Sequence, residues 1–293
     1  MAGTLPRNIR LRLEQTLAQW RHWQCDAALP GAPAVVRVLA SGPSNFSVLV
    51  ASQQRFVVRI DGINPTVHGL HRQGEWRALL AASRARLSPV PRYCNPELGS
   101  LVCDYLEPDA RQGLVIADVA ALLRNIHRLP TRHSRLDLRE RIARYTRQLA
   151  LRDAALAAAV APWRRGVVEL LDAPRRQPRT AVLCHNDLLR ANRIYSSGKL
   201  WALDWEYCAT GSPWYDLAVV VGGDGLDTTQ SGALLEAYLA RTPLPAEHQS
   251  LQRYTCIYRY LELLWYLAVR GAVPQGTTLQ RKLDELDDAL AGC

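Results

Sequence analysis

Lysine is nearly absent from this chain. Of 36 basic residues only Lys199 and Lys282 are lysines, so the first half has no lysine and any side-chain cation it offers a phosphate is a guanidinium. No CxxC pair occurs: Cys25, Cys94, Cys103, Cys184, Cys208, Cys256 and Cys293 are scattered, without a His-rich partner. That spacing argues against a zinc site and a disulfide framework, and it fits a reducing cytosol. No uncharged apolar run is long enough to span a bilayer, and the N-terminus lacks the uninterrupted apolar core of a signal peptide. A soluble, cytoplasmic protein with no membrane partner is expected. Internal repeats and low-complexity tracts are also missing.

What is there suits a globular chain. At 293 residues it can form two lobes, and 48% hydrophobic with 22% charged residues excludes wholesale disorder. The net charge of +9 would suit nucleic acid, anionic lipid or nucleotide phosphates. The arginines are spread out, with local enrichment at 124–147 and 175–179. Leu136, Leu138, Ile142, Tyr145 and Leu149 give the first of these stretches a helical pattern, which favours a solvated basic face over an RNA groove. Few aromatics are interleaved for base stacking, and no nucleic-acid partner is expected.

Ile9, Leu13, Leu17 and Trp20 predict an amphipathic helix over about 7–25. After the Pro30–Pro33 break, 34–39, 46–50 and 55–60 read as strands joined by polar turns. A helix over 68–84 and short strands near 92–94 and 100–104 follow. Beyond residue 112 the pattern is mainly helical, at 113–127, 137–149, 152–171, 232–239, 247–270 and 278–290. A β insert at 181–184, 193–195 and 199–203 interrupts it. Five strands and a helix followed by a helical half make an α+β chain of bilobal layout. Its parts are an N-terminal antiparallel-sheet lobe (1–107) and a larger, mainly helical C-terminal lobe (108–293), with a hinge at Glu107-Pro108.

The β insert carries the chemistry. His185 to Asn192 has the spacing HxDxxxxN, and Asp204 follows the next strands in Leu203-Asp-Trp-Glu206. Phosphoryl transfer depends mainly on positioning and charge neutralisation, and this inventory supplies both. Asp187 would orient an acceptor hydroxyl and take its proton, and His185 would brace the loop. Asn192 and Asp204 offer hard oxygens to Mg²⁺. Alternation in an extended segment would put Asp204 and Glu206 on one side and Trp205 on the other. Glu206 then reads as a further metal ligand, a counter-charge for a cationic substrate, or a rim residue, with substrate binding the expectation.

These motifs resemble the aminoglycoside phosphotransferase/choline kinase superfamily, and Leu203-Asp-Trp-Glu-Tyr207 resembles its choline kinase- and thiamine kinase-like branch. Matching motifs run from the Ser41–Asn45 turn to Asp216. The resemblance implies a protein-kinase-like fold, ATP as donor, a small-molecule alcohol as acceptor, and ATP·Mg²⁺ bound between the lobes. It maps the kinase ion pair onto Arg59 and Glu75, with arginine in place of the usual lysine. A guanidinium grips two phosphate oxygens equally well. Glu75 reads otherwise as a solvent-facing helix charge.

The same resemblance assigns Ser44 and Asn45 to the phosphates, although that turn has a single glycine and no Walker lysine. Asp104, Tyr105 and Leu106 fall beside the adenine, and Asp216 becomes a brace for the catalytic loop. Arg190, in a loop where relatives often carry small residues, either stabilises the transferring phosphoryl group or faces solvent. Tyr258, Glu262, Trp265 and Tyr266 share much of one helix face. They form either a cage for a cationic alcohol or part of a lobe core. A thiamine- or choline-like acceptor is the expectation, with an aminosugar kinase or a non-catalytic binding protein as alternatives. Oligomeric state is left open.

Overall fold

The computed structural model describes residues 5–42, 44–65, 67–110, 113–131, 134–172, 181–273 and 275–293. Pro43 of the Ser41–Asn45 segment expected to face the phosphates and the arginines of 175–179 lie outside them. Backbone contacts divide the chain into a sheet unit, Met1–Gln112 with Arg193–Cys208, and a helical unit, Gly113–Asn192 with Ala209–Cys293.

Helix α1 (Arg7–Ala18) opens the sheet unit, followed by β1 (Ala34–Ser41), β2 (Asn45–Ala51), β3 (Arg55–Asp61), α2 (Arg72–Arg84), β4 (Pro91–Asn95) and β5 (Ser100–Asp104). The strands form one antiparallel sheet in the order β1-β2-β3-β5-β4. Period-two alternation sorts β3 by face. Phe56, Val58 and Ile60 are fully buried and share a core with Val48, Val50, Val102 and the α1 residues Ile9 and Leu13. Arg59 and Asp61 fall on the opposite face.

The first helix is shorter than its apolar spacing predicts. It gives way to a 3-10 turn at Trp20–His22, which lets Trp23 enter the core edge-on to Phe56, at 5.3 Å between ring centroids. Helix α2 begins at Arg72 rather than His68, because a turn closed on the Pro65 carbonyl precedes it.

The helical unit contains α3 (Ile116–Ile126), α4 (Leu138–Arg152), α5 (Ala154–Asp172) and β6 (Val182–Cys184). The chain then returns to the sheet unit as a hairpin of β7 (Arg193–Ser196) and β8 (Lys199–Ala202). Asp109 fastens this hairpin by accepting the Ser197 and Gly198 N–H groups, and Ala202 N–H donates to Leu87. The helical unit resumes with β9 (Ala209–Gly211), which pairs with β6. It continues with α6 (Pro213–Asp224), α7 (Thr228–Leu239), α8 (Pro245–Trp265) and α9 (Leu279–Ala291). Helix α7 starts earlier than its apolar residues suggest, at an Asp227/Gln230 capping box. The helix expected over 247–270 is not uniform: at Tyr266–Arg270 it widens into a π turn that ends at Gly271 in the left-handed region.

Candidate active site

The sheet unit concentrates charge on the face of β3 opposite its core. Arg59 and Asp61 point there two residues apart, and α2 presents Arg72 and Glu75 three residues apart. Arg59 pairs with both oxygens of Glu75, at 2.8 Å to Oε2 and 2.6 Å to Oε1, and reaches Asp204 Oδ1 at 2.5 Å. Glu75 is buried, so the ion pair replaces the solvent-facing reading. Arg72, to which sequence reasoning gave no role, joins the parts: it contacts Asp61 at 2.5 and 3.0 Å, Glu75 at 2.7 Å and Glu206 at 3.2 Å. Gly99 backs Asp61 at φ +55°, where a Cβ would lie 2.9 Å from the carboxylate.

Leu203–Glu206 is not the extended segment that alternation assumes. Asp204 has φ +56° and Glu206 begins a turn, so both acids reach the arginines by a bend while Trp205 is fully buried. Holding a non-glycine residue there costs free energy, which the Arg59 and Asn45 contacts offset.

Two guanidiniums thus face four carboxylates. Burial pulls the Glu75 carboxyl up, but Arg59 and Arg72 outweigh it and hold the group below its ordinary value. Glu206 goes the other way: burial, reinforced by Asp204, pushes it up to about 7. That surplus of negative charge is what a divalent cation would offset. Asn45 donates to Asp204 at 3.3 Å, and its buried Oδ1 has no hydrogen-bond partner among the described residues. The donor set is all hard oxygen, and it fits magnesium.

The strand end proposed for adenine is more committed than expected. Asp104 grips Arg92 through both carboxylate oxygens, at 2.7 and 2.8 Å, and its N–H bonds Val90. Tyr105 N–H bonds Arg55. At the β1–β2 turn, the Ser44 carbonyl accepts Gly62 N–H at 2.7 Å.

In the helical unit the loop after β6 is pinned by one carboxylate. Asp216, in the first turn of α6, accepts the N–H groups of His185 at 2.8 Å and Asn186 at 2.7 Å, and receives His127 Nε2 at 3.0 Å. Burial alone would raise its pKa; the His127 contact and the backbone donor hold it below the usual value. An ionised Asp216 requires His127 to donate from Nε2, leaving Nδ1 to meet the Tyr238 hydroxyl at 2.8 Å. Asn186 takes φ +61°, which turns the chain so that Asp187 leaves the buried loop half-exposed. Asn192 donates through Nδ2 to the Asp187 carbonyl and to its Oδ2, each at 2.8 Å. A carboxylate only accepts, so Nδ2 makes both bonds and the amide oxygen is the atom Asn192 could offer a cation. Arg190, on a 3-10 turn, is exposed.

Helix α8 divides its aromatics. Tyr254, Tyr258 and Tyr260 are core residues. Tyr258 packs so close to α6 that a Cβ on Gly222 would sit 2.5 Å from its ring. Its hydroxyl donates to Glu262 at 3.0 Å. Burial, then Glu262, then Asp187 raise its pKa, so it stays protonated. Glu262 also meets Lys282 at 3.6 Å. Trp265 and Tyr266 are half-buried and already hold a cation, the Arg270 guanidinium, 5.5 and 5.4 Å from their ring centroids.

A sheet unit carrying a buried Arg–Glu pair and a helical unit carrying an HxDxxxxN loop define an α+β chain of the kinase-like phosphotransferase class. Residues 35–251 match the model of the phosphotransferase enzyme family. The chain belongs to that family. It is 28% identical to the thiamine kinase of Salmonella typhimurium over 215 residues, covering 73% of this chain and 74% of the relative. It is 31% identical to protein LicA of Haemophilus influenzae over 87 residues, 29% of this chain. That match spans about a third (33%) of the LicA protein's length. The fold is similar to that of choline kinase LicA from Streptococcus pneumoniae, with a TM-score of 0.71 and 22% identity over 88% of this chain and 94% of the other.

Proposed function

We propose that the chain transfers the γ-phosphoryl group of ATP to a hydroxyl of a small, cationic metabolite of the thiamine or choline kind. The observation that carries this reading is the surroundings of Asp187. Its charge acts on the hydroxyls of Tyr258 and Tyr266, in the same unit and beside Glu262. A base for an alcohol thus shares its neighbourhood with aromatic faces and a carboxylate, the groups that attract an organic cation. The likeness to thiamine kinase and LicA supports the same acceptor class.

In this reading Asp187 accepts the acceptor's hydroxyl hydrogen bond while Asn192 fixes the carboxylate. The acceptor oxygen then bonds to the γ-phosphorus, the bond from phosphorus to the ADP oxygen breaks, and the proton passes to Asp187. Arg59, held by Glu75, faces the nucleotide phosphates, with Ser44 and Asn45 supporting them and the Asp104–Leu106 strand end meeting the base. Asn192 and Asp204 would hold Mg²⁺, which when bound neutralises phosphate charge. Glu206, Glu262 and Trp265 serve the acceptor side. A cytoplasmic setting belongs to the same proposal; among the described residues, no helix is long and apolar enough to cross a membrane.

ADP release with ATP·Mg²⁺ over thiamine, choline, ethanolamine, aminosugars and aminoglycosides tests the reading, with Asp187→Asn as control. Strong preference for thiamine or choline, lost in the control, is the expected result. Preference for an aminosugar or aminoglycoside would replace the acceptor class. ATP binding without turnover on any acceptor would favour a non-catalytic role.

A further inference from the structure

Two thiols away from the site stand in contact. Cys256 lies on the buried face of α8, only 1% exposed, whereas Cys293 is exposed, and the two side chains hydrogen-bond to each other. The contact follows from how α9 lies along α8. Near the start of α9, Lys282 meets Glu262, and at its end Gln252 Nε2 donates to the Gly292 carbonyl at 2.6 Å. Gln252 and Cys256 are four residues apart on one helix face, and Gly292 precedes Cys293, so this bond carries one sulfur to the other. A Cβ on Gly292 would lie 2.7 Å from the Gln252 amide nitrogen, which suits glycine at this approach.

The two sulfurs differ in the way an attacking and a resolving thiol must. The hydrogen bond from Cys256 and the charge of Arg253, against partial burial, bring the Cys293 thiol down to about 7, which favours its thiolate relative to an ordinary cysteine. Cys256, donating to Cys293 and buried, is held as a thiol. An exposed thiolate can meet a bulky oxidant, while a buried thiol need only reach its neighbour.

We propose that Cys256 and Cys293 form a reversible redox pair, in which Cys293 reacts with a disulfide such as oxidised glutathione and Cys256 resolves the adduct into an intramolecular disulfide. The Cys293 thiolate attacks one glutathione sulfur, forming a mixed disulfide and releasing one glutathione thiolate. Cys256 gives up its proton and attacks the Cys293 sulfur, expelling the second glutathione. Two protein thiols are oxidised, one glutathione disulfide is reduced, and both protons end on the released glutathiones. The bond would clasp α9 to the helix that carries Tyr258 and Glu262.

The test uses the full chain, without ATP or acceptor, so it is independent of the proposed reaction. Protein equilibrated with oxidised glutathione at neutral pH is alkylated and digested with trypsin. Tyr254–Arg259 should be found joined to Leu283–Cys293, with a loss of about two mass units that dithiothreitol reverses. Oxidation should also raise the unfolding temperature by roughly 5 °C. Cys256→Ser should stop at a glutathione adduct on Cys293, and Cys293→Ser should leave Cys256 unreacted. Wild-type peptide mapping decides the matter even if a variant folds poorly. A stable glutathione adduct on wild-type Cys293 without the joined peptides would overturn the proposal, as would reaction of Cys293 no faster than that of Cys25 or Cys94.

Discussion

The two halves of the chemistry are held by opposite means. In the sheet unit, ions hold ions: Arg59 and Arg72 are enclosed by Asp61, Glu75, Asp204 and Glu206. In the helical unit, the Asp216 carboxylate holds backbone, and Asp187 is oriented by the loop conformation and the Asn192 amide. The first arrangement is tuned by charge count and should respond to any added cation. The second is tuned by geometry and should respond to the loss of a brace. Under the proposed reaction, charge neutralisation would suit a donor with several phosphate charges, and fixed geometry would suit a base that must meet one hydrogen.

The difference can be broken most forcefully at Asp187. Asp187→Asn should lower kcat about 10²- to 10⁴-fold while ATP affinity changes only a few-fold, as read from steady-state kinetics beside nucleotide titration. An unchanged kcat would remove it from the reaction. Next, the charge count predicts that two changes in the same cluster diverge. Arg72→Met should cost about 3–5 kcal/mol in denaturant unfolding, because three carboxylates lose their partner. Asp204→Ala should leave stability nearly intact, since it relieves surplus negative charge, yet abolish turnover and magnesium-dependent ATP binding. Equal destabilisation by both would sink the charge-count argument.

Asp216→Asn should cost about 1–3 kcal/mol near neutral pH by weakening the three contacts of the brace. The folded Asp216 pKa is depressed, so its stabilisation is present above the unfolded carboxylate range and is lost as pH falls through the folded value. The gap between wild type and Asp216→Asn should therefore close in acid, below about pH 4, and thermal melts across pH would show whether it does. The smallest effect is expected at Arg190. Arg190→Ala should leave stability within about 0.5 kcal/mol, and its kcat separates a phosphoryl-facing role from a solvent-facing one.

Legibility followed the reach of each signal. Strands β2 and β3 announce themselves by alternation, and the loop from His185 to Asn192 by a fixed local spacing. Arg72 and Asp61 do not, because their meeting depends on which face of β3 lies under α2. His127 is equally silent: its partner Asp216 lies far along the chain, and only tertiary packing brings the residue that ends α3 to the first turn of α6. Helix α6 gives no periodic signal, since Tyr215 to Val221 are buried on every side and an all-round apolar helix has no stripe to read. The three-residue β9 is too short to register. The bend at Asp204 escapes prediction because aspartate in the left-handed region is held there by tertiary contacts rather than by local preference.

The β7–β8 excursion bears on how the protein is made. Although the sheet unit begins at the N-terminus, its arginines receive Asp204 and Glu206 only after much of the helical unit has left the ribosome. During that interval two buried guanidiniums have half of their eventual carboxylates. The nascent sheet should therefore remain loosely closed until residue 208 emerges, and truncation before Asp204 should yield a chain more prone to proteolysis than truncation after Cys208.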